Sequence, residues 1–169
     1  VTSLTTGAGS ITFDQSGGGN VSFTTVKTTN GGIDLENTQG DLTVGTSVTA
    51  GGSKTVILSS SGTAADAGDV ILTGSVSAVG GTTKIASAGG AVNGSGTVTA
   101  STVDVDAATG IGNATALSLA ASSISADATT GNIDIDNALG TAVTVSSLTT
   151  TGTSSSITFD QSGGGSVSF

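Results

Sequence analysis

The feature that most constrains this chain is a three-part cycle of short β-like triplets, most with two apolar residues two positions apart. The first class begins with Leu4, Val26, Val48, Val76, Val98, Ile124 and Leu148. The second begins with Ile11, Ile33, Val56, Ile85, Val103, Ile133 and Ile157, and the third with Val21, Leu42, Val70, Val92, Leu117, Val143 and Val167. Apolar residues two apart share one face of a strand. A glycine follows most second-class triplets, as at Gly17, Gly40, Gly62 and Gly89. Three short strands per rung of about 22–28 residues, closed by glycine-rich turns, are what a parallel β-helix requires. Each strand pairs with its equivalents one rung above and below, and stacking buries one narrow core. The expected fold is all-β: a right-handed parallel β-helix of about seven rungs, about 33 Å long at ~4.8 Å per rung. It forms a single domain over residues 1–169.

The first-class leaders are unevenly spaced, and the steps from Val48 to Val76 and from Val98 to Ile124 are the longest. These longer steps predict polar inserts outside the rod, at 59–69 and 106–116. The competing fold is a β-sandwich, which would use turns such as Asn30-Gly31 and Asn93-Gly94 for hairpins but gives the three-class cycle no reason to exist.

A longer repeat overlies the short one. Residues 11–23 (ITFDQSGGGNVSF) recur as 157–169 (ITFDQSGGGSVSF), an offset of 146, and VTSLTT (1–6) recurs as VSSLTT (145–150). In both copies the phenylalanines, Phe13 with Phe23 and Phe159 with Phe169, are expected inside a rung. Val1 begins in mid-pattern with neither an initiator Met nor a signal peptide, so the chain is expected to be a piece of a longer one.

Composition then limits the chemistry. Of 169 residues, 31 are Thr, 26 Ser and 28 Gly, and Cys, His, Trp, Tyr, Met, Pro and Arg do not occur. The sequence offers no thiol, imidazole or guanidinium, and no tyrosine or tryptophan platform for sugars or bases. Twelve acidic and three basic side chains give a net charge of −9, which disfavours nucleic acid and anionic membranes. No apolar run approaches the ~18 residues of a membrane-spanning helix. Catalysis is not expected. Two carboxylates at glycosidase spacing could arise between rungs, but Lys27, Lys54 and Lys84 lie in different rungs and build no lyase site. The GGG runs at 17–19 and 163–165 lack the rest of a phosphate loop.

The phrasing GGIDLENTQGDLTVGTSVTAGG (31–52), KTVILSSSG (54–62) and GDVILTGSVSAVGG (68–81) resembles the repeat regions of filamentous-haemagglutinin-like proteins, giant surface or secreted proteins of Gram-negative bacteria. The resemblance covers the whole chain and implies a right-handed β-helix, a cell-surface or extracellular location, and adhesion or cell-to-cell association. Its expected partners are adjoining repeats of the same chain and a host or partner-cell glycan or protein.

Two outward-facing patterns carry the remaining chemistry. Acidic residues flank the second strand class, and stacked rungs are expected to bring Asp106, Asp136 and Asp160 into one column, about 5 Å apart. Like charges at that spacing repel, and a hard cation with oxygen ligands would relieve them. Asp104, Asp106, Asp134, Asp136 and Asp160 are therefore the candidate Ca²⁺ ligands, and no other cofactor is expected. A solvated acidic face that keeps a β-rod soluble explains the same residues without a ligand. The first class is flanked by Ser3/Thr5, Thr25/Lys27, Ser47/Thr49, Ser75/Ser77, Thr97/Thr99, Ser123/Ser125 and Ser147/Thr149. These predict a two-column hydroxyl ladder, resembling the Thr-x-Thr faces of β-solenoid antifreeze proteins but with seven of fourteen flanks Ser. Finally, residues 1–23 and 145–169 are near copies, so the two open edges are expected to associate head to tail.

Overall fold

A computed structural model describes residues 1–62 and 68–169; the expected insert at 59–69 lies partly outside the described residues. The described residues contain no helix. The strands are β1 (Ser3–Thr6), β2 (Ile11–Gln15), β3 (Val21–Thr28), β4 (Ile33–Asn37), β5 (Leu42–Ala50), β6 (Val56–Ser60), β7 (Val70–Leu72), β8 (Ser75–Ser87), β9 (Val92–Asn93), β10 (Thr97–Ala107), β11 (Leu117–Ala128), β12 (Ile133–Asn137), β13 (Val143–Thr150), β14 (Ile157–Asp160) and β15 (Val167–Ser168). Every pairing between them is parallel and joins one turn to the next, as in β1 with β3, β3 with β5 and β2 with β4. The result is a parallel β-solenoid of about seven turns.

Three columns of stacked residues define its faces. On the first, Leu4, Val26, Val48, Val76, Val98 and Leu119 lie in register. On the second, Ile11, Ile33, Val56, Thr83, Val103, Ile124 and Val145 follow one another. On the third, the order is Val21, Leu42, Val70, Val92, Ile111, Ile133 and Ile157. Alternation of buried and more exposed positions along each strand turns these residues inward, and they form one continuous core from Val21 to Val145. Because apolar burial is roughly proportional to area, stacking gains for every turn what a single turn could not bury alone.

The first departure from the expected classes is at Ile85, which pairs with Leu58 and Val105 while Thr83 takes the place expected of it between Val56 and Val103; the larger departure comes after Val103. The 106–116 segment is not an external insert, because Ile111 is fully buried and bridges Val92 below to Ile133 above. An extra short strand position therefore enters the cycle, and everything beyond it changes column. Leu117 and Leu119 move to the first face, with Leu119 beside Val98. Ile124 moves to the second face beside Val103, and Ile133 to the third beside Ile111. β12 begins on the third face and continues onto the first, where Ile135 and Asn137 pair with Leu117 and Leu119. The turn lengths even out accordingly, from Val98 to Leu119 and from Val103 to Ile124.

The corners rely on close backbone approach and on buried polar side chains. A Cβ on Gly96 would lie 2.0 Å from the carbonyl oxygen of Gly74, one turn away, so only glycine fits. Gly94 has φ +133°, a region that L side chains rarely adopt. At the end of the second face, Gln15, Asn37, Ser60 and Ser87 stack in register. Ser60 Oγ donates to Gly40 O (2.9 Å) and Ser87 Oγ to Gly68 O (2.9 Å), while Asn37 Nδ2 donates to Gly40 O (2.9 Å). These bonds satisfy turn carbonyls that the sheet ladder leaves free. Asn137 does the same on the first face: it accepts from Ala121 N (3.0 Å) and donates to Ala121 O (3.1 Å). A further ladder runs ahead of the third face, where Asp41 Oδ1 accepts from Asp69 N (2.9 Å) and Asp69 Oδ1 from Ala91 N (2.7 Å).

The phenylalanine pairs recur as expected in geometry but not in burial. Phe13 and Phe23 meet edge to face at 5.0 Å, and Phe159 and Phe169 at 6.1 Å. Phe23 is fully buried, whereas Phe169 is 86% exposed, with no strand among the described residues paired over it.

Candidate functional site: an acidic groove on the second face

The extra strand position redistributes the acidic residues. The expected column of Asp106, Asp136 and Asp160 does not form. Asp104 and Asp106 stay on the second face, in register with Lys84 and Ala86 below and with Ser125 and Asp127 above. Asp134, Asp136 and Asp160 lie together on β12 and β14, where Asp136 pairs with Asp160 and Asp134 with Thr158. Below Asp136 is Ser118, not Asp106. The physical reason is Ile111: its strand position takes the place under Ile133 that Val103 was expected to fill. Among the described residues, no group of three or more acidic side chains is placed to hold a metal ion.

What the fold does bring together is Asp106 with Asp127, a neighbour that sequence reasoning passed over. Asp127 lies within the apolar-alternating run of β11, one of several acidic residues in such runs, and its partner could be read only from the register. The two carboxylates flank an open groove of about 460 Å³ at the end of the second face. Its walls are the small side chains of successive turns, including Ala86, Ala88, Ala107, Ala108 and Ala128, with Thr129, Thr149 and Thr151 supplying hydroxyls. The alanines continue columns that hold polar side chains in lower turns, Ala86 following Ser59 and Glu36, and Ala107 following Ser87, Ser60 and Asn37.

The acids differ in their surroundings. Asp127 accepts hydrogen bonds from Ser147 Oγ (3.2 Å) and from Thr149 Oγ1. Asp104 accepts one from Ser125 Oγ at 2.5 Å. Partial burial, followed by the neighbouring charges of Asp104 and Asp127, pushes the Asp106 carboxyl above its ordinary value of 3.8, and Lys84 opposes the shift. On the other acidic cluster, Ser162 Oγ donates to Asp136 at 2.6 Å. Hydroxyls from the next turn thus meet several of the carboxylates, as in a solvated acidic face whose charges are partly satisfied internally.

The hydroxyl ladder is shorter than expected. Ser3, Thr25, Ser47 and Ser75 stack on the first face, as do Thr5, Lys27, Thr49, Ser77 and Thr99. The column then reaches Ala120. Ser123 and Ser125 belong to the second face, beside Thr102 and Asp104, and Ser147 and Thr149 continue there beside Ser125 and Asp127. No helix among the described residues is long and apolar enough to cross a membrane. No family model matches the chain, and no curated protein or solved structure matches it.

Proposed function

We propose that this chain is a segment of the elongated β-helical shaft of a large bacterial surface adhesin, extracellular and without catalytic activity, which carries an adhesive region away from the cell. The single observation that carries this reading is the uninterrupted core. The same apolar stacking continues from turn to turn, and the second copy of the long repeat adds to it as further turns, with Ile157 on Ile133 and Val167 on Val143. A rod of this construction is extended by adding copies, at a rise of about 4.8 Å per turn. The resemblance of residues 31–52, 54–62 and 68–81 to filamentous-haemagglutinin-like repeats supports the surface location and the adhesive context.

The groove at Asp106 and Asp127 favours a second reading, a repeated module that binds a glycan or a partner-cell protein weakly and gains avidity from many copies. A glycan-array and whole-cell binding assay of this chain against a tandem array separates the two. A shaft binds in neither form. Binding that strengthens steeply with copy number, and that Asp127→Asn weakens, overturns the shaft in favour of the module.

A further inference from the structure

The long repeat does not fit a whole number of turns. In its upper part the rod advances by one turn from Ile133 to Ile157 and from Val143 to Val167. Six steps up the second-face column from Ile11 lead to Val145, yet the repeat counterpart of Ile11 is Ile157. Val145 stands midway along the chain between Ile133 and Ile157, so the counterpart comes half a turn late. Six steps up from Val21 lead to Ile157, and its counterpart Val167 falls a little under half a turn beyond. Six steps up from Leu4 lead to Asn137, and Leu148 follows it by a similar stretch of chain. All three columns therefore overshoot by close to half a turn.

We propose that successive copies of the long repeat dock on one another half a turn out of phase, so that a patch on one side of the rod in one copy lies on the opposite side in the next. This deepens the shaft reading and rests on it; the docking partner is the next copy of the same repeat. The parallel ladder permits it because backbone hydrogen bonds do not depend on which face supplies them, and the inward residues of all three faces are similar Val, Ile and Leu. At about six and a half turns per copy, the axial rise is about 31 Å, and two copies return to the starting side after about 62 Å. A flat partner such as a cell surface then meets the Asp106–Asp127 groove of every second copy only.

The full chain, which has no cysteine of its own, allows the phase to be read by cross-linking. The structure places Asp104 beside Ser125, whereas an in-phase repeat places Asp104 beside Asp134. Asp104→Cys/Ser125→Cys is expected to form a disulfide on mild oxidation, since residues paired on adjacent strands lie within bridging range. Asp104→Cys/Asp134→Cys is expected to stay reduced. A 104–134 bridge, or no 104–125 bridge in a folded rod, overturns the proposal. The docking itself is tested on the chain lengthened by a further copy of residues 24–169, with Ser75→Cys and its counterpart in the added copy both carrying gold labels. Electron microscopy is expected to show the labels on opposite sides, about 31 Å apart along the axis. Labels in line on one side overturn it. A compact particle by small-angle scattering, instead of a rod, would count against the shaft reading, whereas an in-phase rod would leave that reading standing.

Discussion

Ile111 is the residue on which the placement of the last third of the chain turns, and replacing it with alanine tests that placement directly. The side chain is fully buried, and its backbone is tied to the turn above, where Ile111 N donates to Asn132 O at 2.8 Å and Asp134 N donates to Ile111 O at 2.9 Å, while the flanking Gly112 N donates to Val92 O of the turn below at 2.9 Å. Truncation removes about three buried carbons, or about 2.4 kcal/mol of transfer free energy at ~0.8 kcal/mol each. The cavity adds to this, because the hydrogen-bonded ladders hold the turns at fixed spacing and the walls cannot collapse inward. The whole cost is then about 3 kcal/mol, inside the range of ~2–5 kcal/mol for such changes. For a chain of this size that lowers the melting temperature by roughly 6–12 °C. Circular dichroism follows the melt, and hydrogen exchange at the amides of Gly112 and Asp134 shows whether the loss is local, as expected where turns contact only their neighbours. Ile111→Val should cost about 0.5–1.5 kcal/mol. If Ile111→Ala changes stability by less than about 0.5 kcal/mol, the level of an exposed loop position, the residue lies outside the core and the column assignments above it are wrong.

Thr83 stands between Val56 and Val103 on the second face, and its buried hydroxyl has no hydrogen-bond partner; Thr83→Val should raise stability by about 1 kcal/mol or more, measured by urea denaturation. Ile133→Asp places an unpaired charge in a fully buried position and should cost several kcal/mol; an unchanged melting temperature would show that Ile133 does not point inward. For Asp106, whose carboxyl is raised in the folded chain, the native state holds its proton to higher pH than the unfolded one. The penalty of its charge is thus present above the raised value and fades as pH falls toward 3.8. Asp106→Asn should therefore raise the melting temperature at pH 7, with the gain shrinking in acid; a gain that grows as pH falls contradicts the assignment. Gly96→Ala drives a methyl into the Gly74 carbonyl and should destabilise the chain strongly, whereas Gly19→Ala, with open space around the added methyl but φ +88°, should cost only the backbone strain, about 1–2 kcal/mol. The open ends predict concentration-dependent end-to-end association, visible by sedimentation velocity; a strict monomer at millimolar concentration refutes it.

The sequence by itself determined the kind of object this is. Apolar residues two apart, recurring in three classes rung after rung and separated by glycines, leave little but a three-sided parallel solenoid. They also mark the inward positions correctly from Val21 to Val143, because the period of a strand is a local property of the backbone. Tertiary structure alone decided how the faces align along the rod. A parallel ladder accepts any strand of suitable length, so the column a strand joins depends on how much chain the preceding turn consumes. That length hinged on Ile111, a lone apolar residue between two glycines. It carries none of the two-apart pattern of a strand and reveals itself only by filling the gap between Val92 and Ile133. The acidic residues followed from the same count: Asp106 met Asp127 instead of Asp136, and the hydroxyl ladder passed from the first face to the second. A change of one short strand in the cycle left every inward residue inward and moved the outward chemistry to another side, because burial reads the strand's own alternation whereas surface neighbours read the stacking of turns.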